Sequence, residues 1–586
     1  MINSCNRTVE TREVNGRQFE VLLKALRRPS DSLGVFPPLE PGSAVMNGIR
    51  VDRDVALKLR DGTTIYTDVY RPDGATNLPA IVAWSPYGKR AGYAEPMHVP
   101  GVPKGTLSPG TKLEGPDPDF WCRRGFAIIN PDPRGVGNSE GVLQIWTKQE
   151  ARDAADLIEW AGVQPWCNGR VGMSGNSWLA ISQWMAAAER PPHLACIAPW
   201  EGATDVYRQL FRHGGIRQTG FVKTLDIFFV GSGFGEDLEA NIIDHPFHDD
   251  YWLDKIPDLS KIEVPAYVTA SWSHFHLWGS LEGYRAIGSK QKWLRIHREF
   301  EWPDAYAPEN LQDLERFFDR FLKGLHNGWE LTPPVRLDVM DRGDREHATR
   351  RPEIDFPLPD TKFRKLFLDA ATASLSDEVP AESAEISYDA ASGSATFEMT
   401  FAEPTELTGY LKLRLWVEAR GADDMDLFVA VQKAGSDGTM VPTLVIGQPH
   451  HGAPGLLRVS HRALDDNGST DSQPRHLHLA EQRLAPGEIV PVDIPIWPLS
   501  RLWHPGERLR VVVSGHYVRD PQWFENFAWE LRNAAEHVIH TGGRHASYLL
   551  VPEIPRERTV LPGRSITSGP ILIGGQQFRN KVHSDR

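Results

Sequence analysis

The sequence predicts an α/β protein whose second half is all β: a mostly parallel sheet with helices on both faces, followed by a β-sandwich. Three observations carry this. Between Pro79 and Leu322, short apolar runs alternate with stretches of helical periodicity, the pattern of βαβ units around a buried parallel sheet. From about Val335 to Pro555 the texture changes to short alternating segments separated by Gly, Pro and Asp turns. Residues Arg170 to Ala180 read R-V-G-M-S-G-N-S-W-L-A, a short strand running into a glycine-flanked serine, as in a sharp strand-to-helix turn.

The composition sets limits. At 586 residues the chain is too long for one core and should divide into two or three domains. Its 40% hydrophobic and 24% charged content is that of an ordinary globular protein. A formal net charge of −13 without a basic run argues against nucleic acid as a partner. No apolar stretch approaches the ~20 residues that span a bilayer, so no membrane association is expected. Met1 to Ser30 mixes charges of both signs and lacks the apolar centre of a secretory signal. Cys5, Cys122, Cys167 and Cys196 have no C-x-x-C spacing and read as reduced thiols of a cytoplasmic protein.

The elements follow in order. Residues 1–50 form a mixed-charge N-terminal extension closed by a Pro/Gly-rich linker from Phe36. Val51 to Leu59 and Thr63 to Tyr70 alternate apolar and polar residues about Asp61-Gly62, which predicts a hairpin. Pro79 to Trp84 and Phe126 to Asn130 are short apolar runs suited to strands covered on both faces. Glu150 to Trp160 has helical spacing, Arg170 to Met173 enters the serine turn, and Trp178 to Ala188 continues as helix. Leu194 to Pro199, Ala266 to Ala270 and Lys292 to His297 are further strands. Between them, residues 203–262 lose the strand signal and read as a helical cap over the strands' carboxyl ends. The 51–330 unit ends with a helix over Leu311 to Leu322, stopped by Gly324. Residues 335–580 are then the β-sandwich, expected as a jelly roll. Within it His450, His451, His476 and His478 lack acidic or cysteine companions at ligand spacing and read as exposed polar residues.

The serine turn carries the chemistry. A side chain larger than hydrogen just before Ser177 would strike the neighbouring backbone, hence Gly175; Leu179 stands where a second glycine is usual, followed by the small Ala180. A serine hydroxyl needs a base within hydrogen-bond reach and donors for the oxyanion. In this chain order the base comes last, and the strand Lys292 to His297 delivers His297 at its end, with His274 and His276 on the preceding loop. No H-E-x-x-H or comparable spacing links the histidines, so neither metal nor other cofactor is expected.

Several stretches together resemble one family: Arg60 to Pro72, Ser85 to Lys89, Asp132 to Gly141, Gly172 to Trp178, Trp200 to Arg208, Lys292 to His297 and Phe317 to Gly324. In this order they are similar to the cocaine-esterase and Xaa-Pro dipeptidyl-peptidase group of serine hydrolases, which includes α-amino-acid ester hydrolases. The resemblance spans residues from about 50 to 555. It implies an α/β-hydrolase core with an inserted helical cap and a C-terminal jelly roll closing over the site. It also implies Ser177 as nucleophile, His297 as base, and an oxyanion hole made by the Tyr87 hydroxyl and the Trp178 backbone N–H.

The chain departs from that pattern at the acid. The family places an aspartate just after the strand that here ends in Ala270, where this sequence has His274. Glu201, directly after the neighbouring strand, is the expected substitute, with Asp205 as competitor. The expected activity is hydrolysis of a small ester or amide through an acyl-enzyme, without cofactor, with a short peptide also a candidate substrate and a homo-oligomer compatible. Two alternatives stand beside it: an Xaa-Pro-type dipeptidyl aminopeptidase, and a catalytically weak hydrolase fold that binds ligands. Tyr207, Phe211, Phe221, Phe228, Phe229, Trp272 and Trp278 are candidate lining for an apolar pocket.

Overall fold

The computed structural model describes residues 7–28, 36–90, 99–343, 345–445, 448–518 and 528–559, and the backbone of two short strands at 571–573 and 576–578. Cys5, and the tail from 560 to 580 apart from those two strands, lie outside the described residues.

The apolar runs of the first half form one sheet. Its order begins with the antiparallel hairpin Ile49–Lys58 and Thr64–Pro72, whose second strand pairs with Ala127–Asp132. Leu78–Val82, Cys167–Asn176, Leu194–Trp200, Ala266–Ser271, Lys292–His297 and Val335–Arg342 then follow side by side, all parallel. Alternate residues of these strands face opposite ways, and both faces are covered. Ala80 and Val82 pack with Leu157, Trp184 and Leu281 of the helices Lys148–Gly162, Trp178–Ala188 and Leu277–Ala286. Ile81 packs on the other side with Phe317 and Phe318 of Pro308–Phe321. Burial on both faces is why these strands read as unbroken apolar runs.

The register brings the chemistry to one edge. Asn176 pairs with Trp200, Trp200 with Thr269, and Ser271 with His297. Ser177, Glu201, His274 and His276 therefore all leave the sheet at the carboxyl edge where His297 ends. From Leu78–Val82 the chain goes first to one side and then to the other, a switch point of the kind where open α/β sheets bind ligands.

Residues 7–28 are more than an extension. Arg7–Val14 and Arg17–Ala25 form a hairpin about Asn15-Gly16, both at positive φ, and Phe234–Glu236 adds a third strand from the 203–262 insertion. Val21 and Leu23 are buried there with Phe229, Leu238 and Ile242. Arg12 Nη1 lies 3.1 Å from Glu236 Oε2. The sequence concealed this because only one face of the hairpin is apolar, and its partner strand is more than two hundred residues away.

In the second half the long strand Thr405–Arg420 pairs with Val490–Trp503 on one side and with Glu536–Thr541 and Tyr548–Glu553 on the other. Asp426–Ala434 lies between Ala453–Arg458 and Arg508–Ser514. Leu411, Leu413, Leu415, Val417, Leu427, Val429, Val431, Val511 and Val513 point into a core of their own. This half closes on the insertion: Arg208 Nε and Nη2 donate to His476 O at 3.2 and 3.0 Å, and His248 N donates to His478 O at 2.9 Å. His476 and His478 are consequently buried, and His450 is buried as well, a correction to their reading as exposed residues. Tyr207 packs against His478 and His478 against His476, so these two imidazoles serve as interface packing. Among the described residues no helix is long and apolar enough to cross a membrane.

Candidate active site

Ser177 sits between the strand Cys167–Asn176 and the helix Trp178–Ala188 with φ 51° and ψ −111°, a conformation costly for any residue but glycine. Its N–H donates to the carbonyls of Trp200 at 3.2 Å and Glu201 at 2.9 Å, which holds the bend. Gly175 has φ +130°, and a Cβ there would stand 2.4 Å from Leu179 Cδ2 and 2.8 Å from Glu114 O. The missing side chain at 175 thus makes the room that Leu179 fills, which is how leucine replaces the second glycine of the motif. The close approach has moved to Gly202, where a Cβ would meet Ala180 Cβ at 2.7 Å.

The imidazole at the serine is His276, whose Nε2 is 3.0 Å from Ser177 Oγ. The expected base, His297, has no contact with Ser177 among the described residues. Its Nε2 lies 2.8 Å from Glu201 Oε1 and 3.2 Å from Asp304 Oδ2. Both histidines follow neighbouring strands, but the loop after Ser271 carries His276 over Ser177, whereas His297 stays at the end of its own strand. Burial, followed by the charge of His274, holds the His276 imidazole well below its usual pKa of 6.5. The ring therefore rests neutral, with a lone pair available to the hydroxyl.

Glu201 lies behind this pair. It is fully buried and makes ion-pair contacts with His297 and with His274, whose Nδ1 is 3.1 Å from Glu201 Oε2. Burial raises the pKa of Glu201, but the charges of His297 and His274 outweigh it and hold the group at about 2. Asp304, next to His297, is bound by both terminal nitrogens of Arg295 and by Trp200 Nε1 at 3.1 Å. Asp205 is engaged elsewhere: Arg208 Nη1 donates to it at 2.5 Å, and its carboxyl is held well below the usual range despite burial.

The Tyr87 phenol interacts with Ser177 and with Glu114. Burial, then the charges of Glu114 and Glu301, raises its pKa well above 10.0, so it remains a donor. The Trp178 backbone N–H has no acceptor among the described residues, and its indole donates to Glu150 Oε1 at 3.3 Å. Around them Phe228 lies 4.6 Å from Tyr87, Phe229 lies 5.8 Å from Trp178, and Phe221 packs on Phe275. Tyr207, Phe211 and Trp278 join the same cluster. Trp272 does not; it is buried in the sheet core and donates to Asp338 O.

Two further carboxyls were not singled out from the sequence. Glu114 accepts from Trp302 Nε1 at 3.0 Å, and burial raises it to about 8. Burial, then the charges of Glu114 and Glu201, raises Glu301 well above its usual value. Ligand atoms of His274, His276 and Glu301 lie within 4.8 Å of one another. Glu114 and Glu301 lie far from Ser177 in sequence and in no motif, so nothing local marks them. His276 had one signal, its place directly before the helix Leu277–Ala286.

Comparison with known proteins agrees with this architecture. Residues 61–230 match the family model for X-Pro dipeptidyl-peptidase (S15 family), and residues 327–550 match that for the X-Pro dipeptidyl-peptidase C-terminal non-catalytic domain. Cocaine esterase from Rhodococcus sp. (strain MB1 Bresler) is 24% identical over 612 residues, covering 86% of this chain and 99% of the esterase. The crystal structure of a CocE/NonD family hydrolase from Staphylococcus aureus is 33% identical with a TM-score of 0.81, covering 94% of this chain and 98% of that one. An α-amino acid ester hydrolase at 16% identity shares the fold, with a TM-score of 0.66 over 88% of this chain and 98% of that one. The overall fold thus recurs in solved structures of nearly the same length. The chain belongs to the CocE/NonD family of hydrolases, within the esterase and Xaa-Pro dipeptidyl-peptidase group of serine hydrolases.

Proposed function

We propose that this protein hydrolyses a carboxylic ester or amide through an acyl-enzyme on Ser177. The observation that carries the reading is the 3.0 Å contact between His276 Nε2 and Ser177 Oγ. As Oγ attacks the substrate carbonyl carbon, His276 Nε2 takes the hydroxyl proton. The Tyr87 O–H and Trp178 N–H donate to the resulting oxyanion, each worth about 3 kcal/mol in such a role. His276 then returns the proton to the departing oxygen or nitrogen, leaving the acyl group on Ser177. Water, deprotonated by the same imidazole, attacks the acyl carbon, and the proton goes back to Oγ as the acid leaves.

The transient imidazolium needs an anion, because it forms in a buried place beside a helix N-terminus, where the dipole opposes positive charge. Glu201 supplies that charge in this reading, with His274 between it and His276. His297 and Asp304 then orient Glu201 rather than touch the reacting atoms.

The second half is read here as a jelly roll that closes the site through the cap, supported by the Arg208 contacts to His476 O and by Trp497 in the cap's aromatic cluster. The unpaired thiols of Cys122, Cys167 and Cys196 fit a reducing, cytoplasmic setting.

One observation favours a peptidase as a second reading. Such an enzyme needs a carboxylate for the substrate's α-amine, and Glu114 faces the Tyr87 hydroxyl next to the nucleophile. Rapid cleavage of aryl esters with no release of anilide from Xaa-Pro substrates supports the esterase; the reverse supports the peptidase. The shared mechanism is tested by a fluorophosphonate probe, expected to label the wild type and not Ser177→Ala. A wild-type protein that resists the probe and hydrolyses neither substrate would leave only a binding role.

A further inference from the structure

His274 Nε2, His276 Nδ1 and Glu301 Oε2 are among the buried atoms of the site that have no hydrogen-bond partner among the described residues. Their residues are 0%, 1% and 2% exposed, so bulk water does not serve them. Leaving such groups unsatisfied costs about 1–3 kcal/mol apiece. The same three side chains each offer a ligand atom within 4.8 Å of the other two, and His274 Nε2 is 3.8 Å from Glu301 Oε1. Glu301 also faces Glu114 and Glu201 and pairs with no Lys or Arg among the described residues.

Two imidazole nitrogens and one carboxylate oxygen, with a fourth position open, are a donor set suited to Zn²⁺; Mg²⁺ and Ca²⁺ prefer oxygen alone. Bonds of about 2.1 Å put tetrahedral ligand atoms about 3.4 Å apart, so the donors need to draw in by at most about 1.4 Å.

We propose that His274, His276 and Glu301 bind one Zn²⁺ and that the bound ion switches the hydrolase off. The inference rests on the reading of His276 as base. To accept the Ser177 proton, Nε2 must be bare, so the ring's single proton sits on Nδ1. Zinc on Nδ1 takes that nitrogen's lone pair and leaves the proton on Nε2, directed at Ser177 Oγ. The ring keeps one proton throughout, but it can no longer act as a base.

The test titrates chelator-stripped full-length protein with Zn²⁺ alone, and separately with Mg²⁺, following bound zinc with a chromophoric chelator and aryl-ester hydrolysis in parallel. One Zn²⁺ per chain should bind, and hydrolysis should fall about tenfold or more and return with EDTA, while Mg²⁺ does neither. Ser177→Ala should bind zinc like the wild type, so a failure of the hydrolase reading leaves the binding arm intact. His274→Asn and Glu301→Gln, checked for fold by circular dichroism, should each weaken zinc binding about tenfold or more. Co²⁺ bound to the wild type tests the donors without a variant and should give a tetrahedral visible spectrum free of thiolate bands. Absence of stoichiometric zinc, a thiolate band, or unchanged affinity in both variants overturns the site. Full occupancy with undiminished hydrolysis overturns the switch.

Discussion

His276 Nε2 and Ser177 Oγ lie 3.0 Å apart across 99 residues of sequence, while the neighbouring His297 is turned to Glu201. The loop after Ser271 makes this choice: it lifts one imidazole over the serine turn and leaves the other at the end of its strand. The mechanism therefore makes different demands on histidines that compete for the same role.

His276→Gln should lower kcat/KM for an aryl ester by about 10⁴ or more and abolish fluorophosphonate labelling. His297→Gln should cost far less and keep labelling. The opposite ranking, measured in steady state with both variants folded, would return the role of base to His297.

The acid limb of kcat/KM should fall below pH 6.5. Burial, followed by the charge of His274, depresses the His276 pKa from that value. The active form is the neutral ring, and a depressed pKa keeps it neutral further into acid. A limb centred at or above pH 6.5 would show that another group governs the rate.

Tyr87→Phe should reduce kcat by about 10²–10³ with little change in KM, because the phenol acts on charge that appears only in the transition state. The ring remains to pack on Phe228, 4.6 Å away, so thermal stability should hardly move. An unchanged kcat would remove the hydroxyl from the oxyanion hole.

Glu201→Gln keeps the shape of the side chain but removes its charge, and turnover should fall by about two orders of magnitude or more. Near-normal turnover would exclude Glu201 from the mechanism.

Glu150 should make stability depend on pH. It accepts from Trp84 Nε1 at 2.9 Å, Trp178 Nε1 at 3.3 Å and the Trp146 N–H. Burial raises its pKa from 4.5 to about 7, against the opposing effect of those hydrogen bonds. A carboxyl raised in the folded state binds more protons there than in the unfolded chain between pH 4.5 and 7. Its contribution is thus greatest below pH 4.5 and declines by about 3 kcal/mol toward pH 7. Chemical denaturation across that range should show a flatter profile for Glu150→Gln than for the wild type; parallel profiles would contradict the account.

Much of the first half was legible before any coordinates. Trp178–Ala188 and Lys292–His297 begin and end where periodicity put them, and other strands and helices differ at their ends by a few residues. The N-terminal hairpin was not legible, because its apolar residues acquire meaning only beside Phe234–Glu236. The burial of His476 and His478 also escaped, since polar side chains become interior only when a second element covers them.

For this protein the sequence alone determined the order of strands and helices, the bend that presents Ser177, and the family resemblance, because these rest on local periodicity and turn chemistry. Tertiary structure decided which imidazole meets that hydroxyl, which carboxylates stand behind it, and how Leu179 fits where glycine is usual. Those outcomes depend on side chains from distant strands converging at one sheet edge, where an ångström of loop path separates contact from none, and spacing along the chain carries no such distance.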